Sequence, residues 1–505
     1  MKYSRTKNAM RNIIWGTLNK ATAILFPFVN RTIIIYVMGL EYAGLDSLFL
    51  SVLKVLNLAE LGVGTALTYT MYKPIAENDK AKVCAIMKYY KKCYRLISLV
   101  VLVLGIVLLP FLRSFIKGDV PEGINIYILY IMYVMQNVVS YNLFAYKNSL
   151  LAAHQRLDIG HKISIALNVI IMALQAVVIL MTKNYYLYVL LSIISVVALN
   201  IIQAFFAQKL YPEYKCEGEL ADSEKHEIKK QVMGLLTNKI GATVINSADT
   251  IIISAFLGLA VLACYDNYYY CLAAVIAFLD IVLSSMTAGV GNSIVTETKE
   301  KNKETFENVN FMYSWVVCCC AALLMSLYQP FITLWVGEDK TFPLYVVALL
   351  VFRFFAGRIS QVTFMYKDAL GMWWEDKYRP IVSAICNLII NIILVNIIGI
   401  SGVIISTFVC SIFISTPWGN IILFKNYFGN GLKEYFIGLL RTYLVGIVTV
   451  LITYMSARLI TIDGVIGLVL TAIISFIVSN IVLLLFNFRR KEFVYVKERI
   501  VRKFK

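Results

Sequence analysis

The chain reads as an all-α membrane protein, on three observations. Hydrophobic residues make up 60% of its 505 positions and charged residues 15%, which leaves no room for a soluble domain of ordinary size. The apolar residues gather into about fourteen segments, most of them reaching the roughly 20 residues that a membrane-crossing helix needs. Lys and Arg crowd into every second gap between those segments.

The expected spans cover residues 12–39, 42–72, 93–115, 123–146, 163–181, 185–208, 232–256, 260–294, 310–336, 342–365, 381–397, 401–424, 434–457 and 464–487. Pro27 removes a backbone hydrogen bond from the first and predicts a bend there. The longest polar gap, near Tyr211 to Gln231, reads as a linker. The chain is therefore expected to divide into an N-terminal lobe (1–208), a cytoplasmic linker (209–231), a C-terminal lobe (232–424), a terminal pair of spans (425–487) and a basic cytoplasmic tail (488–505). Gaps after odd-numbered spans hold only Arg113, Lys117, Lys183, Lys340 and Arg458 as bases, so the positive-inside rule places both termini in the cytoplasm. No cleavable signal peptide is expected, because the first apolar stretch is long, carries Lys20 and runs at once into another span.

The formal charge of +17 follows from the same asymmetry. It points to membrane lipids as partners, through attraction to an anionic inner leaflet, and not to nucleic acid. The tail Arg489 to Lys505, with Phe493 and Tyr495 between its charges, fits that reading. No metal or cofactor is expected. Most of the ten cysteines, including Cys318 to Cys320, lie in apolar segments without ligand spacing, and His154, His161 and His226 lie in polar gaps.

An internal duplication is visible. Asn19, Lys20 and the run Thr32 to Ile35 in the first span match Asn238, Lys239 and Thr250 to Ile253 in the seventh. The match continues with Ala43 against Ala263, Asp46 against Asp266 and Glu60 against Asp280. Paired acids carry more weight than apolar runs, since intramembrane charges are rare. Both halves start on the same side, so the repeat is parallel: two six-helix lobes about an axis along the membrane normal, enclosing a central cavity, with two C-terminal helices left over. This organisation argues for a transporter over an enzyme. No phosphate loop and no His-Glu-x-x-His motif occurs, and a membrane polymerase or glycosyltransferase would need a sizeable external loop that the chain lacks.

Charges inside spans mark the candidate site. A charge at mid-membrane costs at least about 2.5 kcal/mol, so each should face a wet cavity or a partner. The bases are Lys20, Arg31, Lys54, Lys239, Arg353, Arg358 and Arg441; the acids are Asp46, Glu60, Asp249, Asp266 and Asp280. Arg31 and Arg441 are near enough to span ends to snorkel instead. The slight cationic excess suits an anionic group, and arginine grips phosphate oxygens through paired hydrogen bonds. Lys20, Arg31, Lys239, Arg353 and Arg358 are the expected substrate-binding set. Asp46, Asp249 and Asp280 either respond to a coupling proton or sodium ion, or partner those bases. Tyr265 and Tyr269, in the run Tyr265 to Tyr270, either stack on sugar rings or belong to an interfacial aromatic belt.

The stretch Gly39 to Phe49 (GLEYAGLDSLF), then Leu56 to Leu67 (LNLAELGVGTAL), resembles the start of bacterial polysaccharide flippases of the multidrug/oligosaccharidyl-lipid/polysaccharide exporter superfamily. Tyr265–Tyr270 and the small-residue stretch Gly289 to Ser293 are similar to the opening of their second half. The resemblance covers the whole chain through loose patterns. It implies outward flipping of an undecaprenyl-pyrophosphate-linked oligosaccharide for capsule, O-antigen or another envelope polymer, alongside polysaccharide polymerase machinery. It also implies basic cavity residues that hold the pyrophosphate. An ion-coupled multidrug antiporter of the same superfamily is the rival reading; it would favour an acid-lined cavity.

Overall fold

The computed structural model describes residues 5–60 and 62–504, without the side chains of 5–9, 59, 234–239, 242, 246, 288 and 499–504. Among the described residues every regular element is helical. The chain forms two compact units, Met1–Ala263 and Cys264–Lys505.

The first unit contains α1 (Arg5–Val37), α2 (Leu40–Leu56), α3 (Val63–Ala76), α4 (Lys80–Leu108), α5 (Ile126–Asn142), α6 (Tyr146–Ala153), α7 (Leu157–Thr182), α8 (Tyr185–Leu210) and α9 (Asp222–Leu257). Helix starts follow from local chemistry. The Asp79 carboxylate accepts from the Lys82 amide at 2.9 Å and caps α4, while Asn125 and Asn184 cap α5 and α8 in the same way. The α1–α2 corner turns on Gly39 at φ +112°, a backbone state that side chains other than glycine resist. Gly258, 219 residues on, makes the same turn at φ +97° between α9 and α10 (Leu259–Thr296). The duplication read from acids thus extends to the corners. Packing joins α1 to α7, α7 to α8, α4 to α5 and α2 to α9. Gly44 lets α2 approach so closely that a Cβ there would strike the Leu259 carbonyl.

The second unit begins within α10 and adds α11 (Lys299–Val336), α12 (Leu344–Arg358), α13 (Gln361–Ala369), α14 (Arg379–Ile398), α15 (Ile400–Cys410), α16 (Thr416–Leu423), α17 (Leu432–Ala457), α18 (Gly464–Asn487) and α19 (Lys491–Phe504). Buried Asn387, Asn391 and Ser406 link α14 to α15, with Ser406 Oγ donating to Asn391 Oδ1 at 2.6 Å. Such interhelical bonds average about 0.6 kcal/mol in a membrane, where helix association depends on close packing and polar contacts. Small buried residues, Gly446, Thr449 and Thr453 on α17 with Gly467, Thr471 and Ser475 on α18, follow the same rule.

Among the described residues eleven helices are long and apolar enough to cross a membrane, or twelve when the pair α5 and α6, bent by 52°, is one span. Two of the fourteen expected spans are not among these helices, each for a local reason. The segment 42–72 breaks between α2 and α3 at a 3₁₀ turn, Asn57–Glu60, followed by Gly62 at φ +99°. The segment 232–256 lies in α9, whose described apolar part, Thr243–Leu257, is short. Pro27 sits inside an unbroken α1.

Candidate substrate-binding site

In the first unit, polar groups converge around Asp46. It stands one turn from Tyr42 on α2. The Tyr133 hydroxyl of α5 donates to Asp46 Oδ1 and lies 3.3 Å from the Tyr185 hydroxyl at the head of α8. Tyr185 in turn meets Tyr42 edge-on and stacks on Tyr188, each at 5.4 Å. From α1, Arg31 donates to Ser47 Oγ at 3.3 Å and to the Ala263 carbonyl at 3.0 Å. Beside it on α1, buried Asn30 donates to Gln175 of α7 at 3.1 Å, and Gln175 donates to Ser192 of α8 at 2.7 Å. A partly buried carboxylate and a guanidinium are thus brought to adjoining positions of α2 within an aromatic, hydroxyl-rich setting.

Glu60 ends a relay of hydroxyls. Ser149 donates to Tyr90 at 2.9 Å, Tyr90 to Tyr94 at 3.1 Å, and Tyr94 to Glu60 Oε1 at 3.1 Å. Gly64 makes room for it: a Cβ there would lie 2.9 Å from the Tyr90 hydroxyl and 3.2 Å from that of Tyr94. Lys20 and Lys54 are exposed on α1 and α2, and Asp249 is buried on α9. The Lys239 side chain lies outside the described residues.

In the second unit, Arg353 and Arg358 do not meet on one group. Arg353 is buried (8% exposed) and donates to the Tyr265 hydroxyl at 2.6 Å. Arg358, the last residue of α12, pairs with Asp280 of α10, whose side chain is about half exposed at 55%. Tyr265 is buried and stacks on half-buried Tyr269, with ring centres 6.1 Å apart. The two units repeat a contact in different chemistry. Tyr133 and Arg353, 220 residues apart, each reach from the fourth segment of a half to the second. Glu60 is met by a neutral phenol where its counterpart Asp280 is met by a guanidinium.

Sequence reasoning passed over two buried carboxylates. Asp158, 1% exposed at the start of α7, is ringed by Arg11 at 3.1 Å, Arg156 at 3.1 Å and Lys162 at 3.8 Å. Asp376, just before α14, takes Lys367 at 2.6 Å and a two-pronged contact from Arg379 at 2.7 Å. Both lie in gaps read as solvated loops. The available signal was the repeat itself, since the two acids keep the offset of 218 that relates Thr250 to Thr32. Among the described residues no group of three or more His, Cys, Asp or Glu is arranged to hold a metal ion.

Comparison with known proteins places this geometry in a fold. No family model and no curated protein matches the sequence. Solved structures do match. The lipid II flippase MurJ, in an inward closed conformation, aligns with 94% of this chain and 98% of its own, at a TM-score of 0.66 and 13% identity. An inward-facing multidrug resistance MATE family transporter of the MOP superfamily aligns with 81% of this chain and 95% of its own, at 0.62 and 14%. A Vibrio cholerae MATE transporter aligns with 84% and 99%, at 0.55 and 13%. At such low identity the likeness speaks to fold alone. This chain has the all-helical fold of those membrane transporters.

Proposed function

We propose that the protein is a transporter, not an enzyme, that flips an undecaprenyl-pyrophosphate-linked oligosaccharide from the inner to the outer leaflet of the bacterial cytoplasmic membrane for envelope polysaccharide synthesis. The observation that carries this reading is full-length likeness to a lipid-linked flippase, over 94% of the chain against 81% and 84% for the MATE transporters. The sign of the intramembrane charge supports it: Lys20, Arg31, Lys239, Arg353 and Arg358 are the proposed pyrophosphate ligands, with Tyr265 and Tyr269 offered to sugars. Both termini lie in the cytoplasm, and the lobes 1–208 and 232–424 rock about a central cavity. Transport without ATP hydrolysis requires that loaded substrate favour one lobe arrangement over the other.

The second reading, an ion-coupled multidrug antiporter, draws on Asp46, an acid inside a span held by neutral tyrosines. Proteoliposomes separate the two. Loaded with a lipid-linked oligosaccharide, they should show a rising fraction accessible to an impermeant glycosidase under an ion gradient or potential. No rise, together with efflux of an organic cation, would establish the antiporter instead.

A further inference from the structure

The second unit holds a cavity of about 250 Å³ between α11, α17, α18 and α19, built unlike the candidate site. It lies where α17 begins, α18 ends and the amphipathic α19 turns away, at the water-facing end of the spans. It is smaller than the roughly 300–1,000 Å³ that a drug-sized ligand fills. Its inner wall is mainly apolar, with Phe311, Leu439 and Leu483 beside the small polar side chains of Ser314 and Thr442 and the amide of Asn310, while Trp315 stacks on Phe493 of α19 at 5.9 Å. Tryptophan favours such a boundary, having an apolar body and a polar tip.

The rim is charged and balanced. Glu307, Glu434 and Glu492 face Arg441, Arg490 and Lys491. Two pairs satisfy each other: Lys491 lies 3.0 Å from Glu307, and Arg490 lies 3.2 Å from Glu492. That leaves Glu434 and Arg441, both exposed and seven residues apart on one face of α17. Arg441 spends one nitrogen on the Phe486 carbonyl at 2.8 Å, which anchors its planar fork and leaves other N–H groups to point elsewhere. Glu434 is the outer of the two and Arg441 is about 10 Å further along the helix, toward the membrane interior.

We propose that this cavity holds the headgroup of one resident zwitterionic aminophospholipid, its phosphate on Arg441, its ammonium on Glu434, and its acyl chains running down α17 and α18. The order of charges matches the ligand, whose phosphate is attached to the buried glycerol and whose ammonium extends toward water. The balanced rim disfavours an anionic lipid, which would bring a phosphate to Arg441 and offer Glu434 nothing. Glu434 with Arg441 therefore reads both ends of a phosphoethanolamine group, and the apolar wall distinguishes the lipid from its soluble head.

Native mass spectrometry of the full-length protein, with phosphatidylethanolamine, phosphatidylglycerol or the soluble glycerophosphoethanolamine added, tests this. One phosphatidylethanolamine should be retained per chain, about tenfold more strongly than phosphatidylglycerol, the scale of one charge-assisted hydrogen bond between its ammonium and Glu434. Glu434→Gln should erase that preference and Arg441→Gln should weaken retention of both lipids, while Arg441→Lys keeps part of it. Melting temperature, measured in parallel, should stay near that of the parent, since both side chains are exposed. Equal or better retention of phosphatidylglycerol, unchanged retention in the folded Gln variants, or equal binding of the soluble headgroup would each overturn the proposal.

Discussion

Asp158 and Asp376 stand 218 residues apart and are buried in the same way, each where a short helix turns into a long span and each closed in by basic side chains. The first ties the N-terminal end of α1 to α7 through Arg11; the second ties α13 to α14 through Lys367 and Arg379. Removing one partner from a buried pair leaves an uncompensated charge and costs about 3–5 kcal/mol, far more than the pair itself contributes. Asp376→Ala should therefore lower the melting temperature sharply, because it strands Lys367, only 3% exposed. Adding Lys367→Met to Asp376→Ala removes that stranded ammonium and should recover part of the loss, the rest staying with Arg379, which also loses its partner. Thermal unfolding in detergent measures both; equal losses in the single and double variants would refute the account.

The α2 corner gives a steric prediction. Gly44→Ala places a methyl against the Leu259 carbonyl, which is backbone and cannot rotate aside. Overpacking of this kind costs about 1–3 kcal/mol. Gly289→Ala, in α10, meets nothing within 4 Å and should be neutral or slightly stabilising. Melting temperatures of the two variants should differ in that direction.

Much of this fold was legible because membrane spans announce themselves. Apolar runs and the bias of Lys and Arg locate helices without any tertiary knowledge, and acids are rare enough in spans that Asp46/Asp266 and Glu60/Asp280 exposed the repeat. Partners were not legible. Nothing local to Glu60 points to Tyr94, and nothing local to Arg358 points to Asp280, since each contact is made by packing between distant segments. The backbone break at Asn57 to Gly62 was not legible in the apolar run 42–72, because hydrophobicity carries no record of φ. Asp158 and Asp376 escaped because acids in polar gaps are ordinarily solvated, and only their basic neighbours from other helices make these two buried.

Histidine supplies a pH prediction outside the spans. His154, just past α6, stacks on Tyr211 with ring centres 4.0 Å apart and planes 16° from parallel, and so docks the segment that follows α8. Burial pushes its imidazole below the ordinary value, with Glu213 opposing. A depressed native value means the neutral form is favoured when docked. The docking contribution is then complete above the unfolded value of about 6.5 and is lost as pH falls from there through the native value. Protection factors of residues 211–221, the intrinsic rate at each pH divided by the observed one, should be lower at pH 5.5 than at pH 7.5, and His154→Phe should flatten the difference.

Exposure separates ligand from scaffold among the proposed pyrophosphate contacts. Lys20 is exposed and Arg353 is buried on Tyr265. Lys20→Ala should cut flipping at least about tenfold, the scale of one lost charge-assisted contact, with little change in melting temperature. Arg353→Ala should lose both flipping and stability, and Arg353→Lys should restore neither fully, because an ammonium lacks the fork that arginine presents. Flipping by Lys20→Ala at the parent rate would remove that residue from the site.

The acids divide by what holds them. Asp280 is paired with Arg358, so protonating it would strand a cation whose side chain is largely buried. Asp46 accepts from the neutral hydroxyl of Tyr133, so it can take up a proton without leaving a charge unpaired at that contact. Asp46 is therefore the expected coupling residue and Asp280 a partner. In proteoliposomes, Asp46→Asn should retain substrate binding and lose the response of transport to a proton gradient. Asp280→Asn should reduce transport at every gradient without altering its dependence, and the swap Asp280→Arg with Arg358→Asp should recover part of the rate. If Asp46→Asn transports with an unchanged gradient response, the coupling assignment fails while the lipid-linked substrate stands. If Asp280→Asn alone abolishes the gradient response, the roles are reversed.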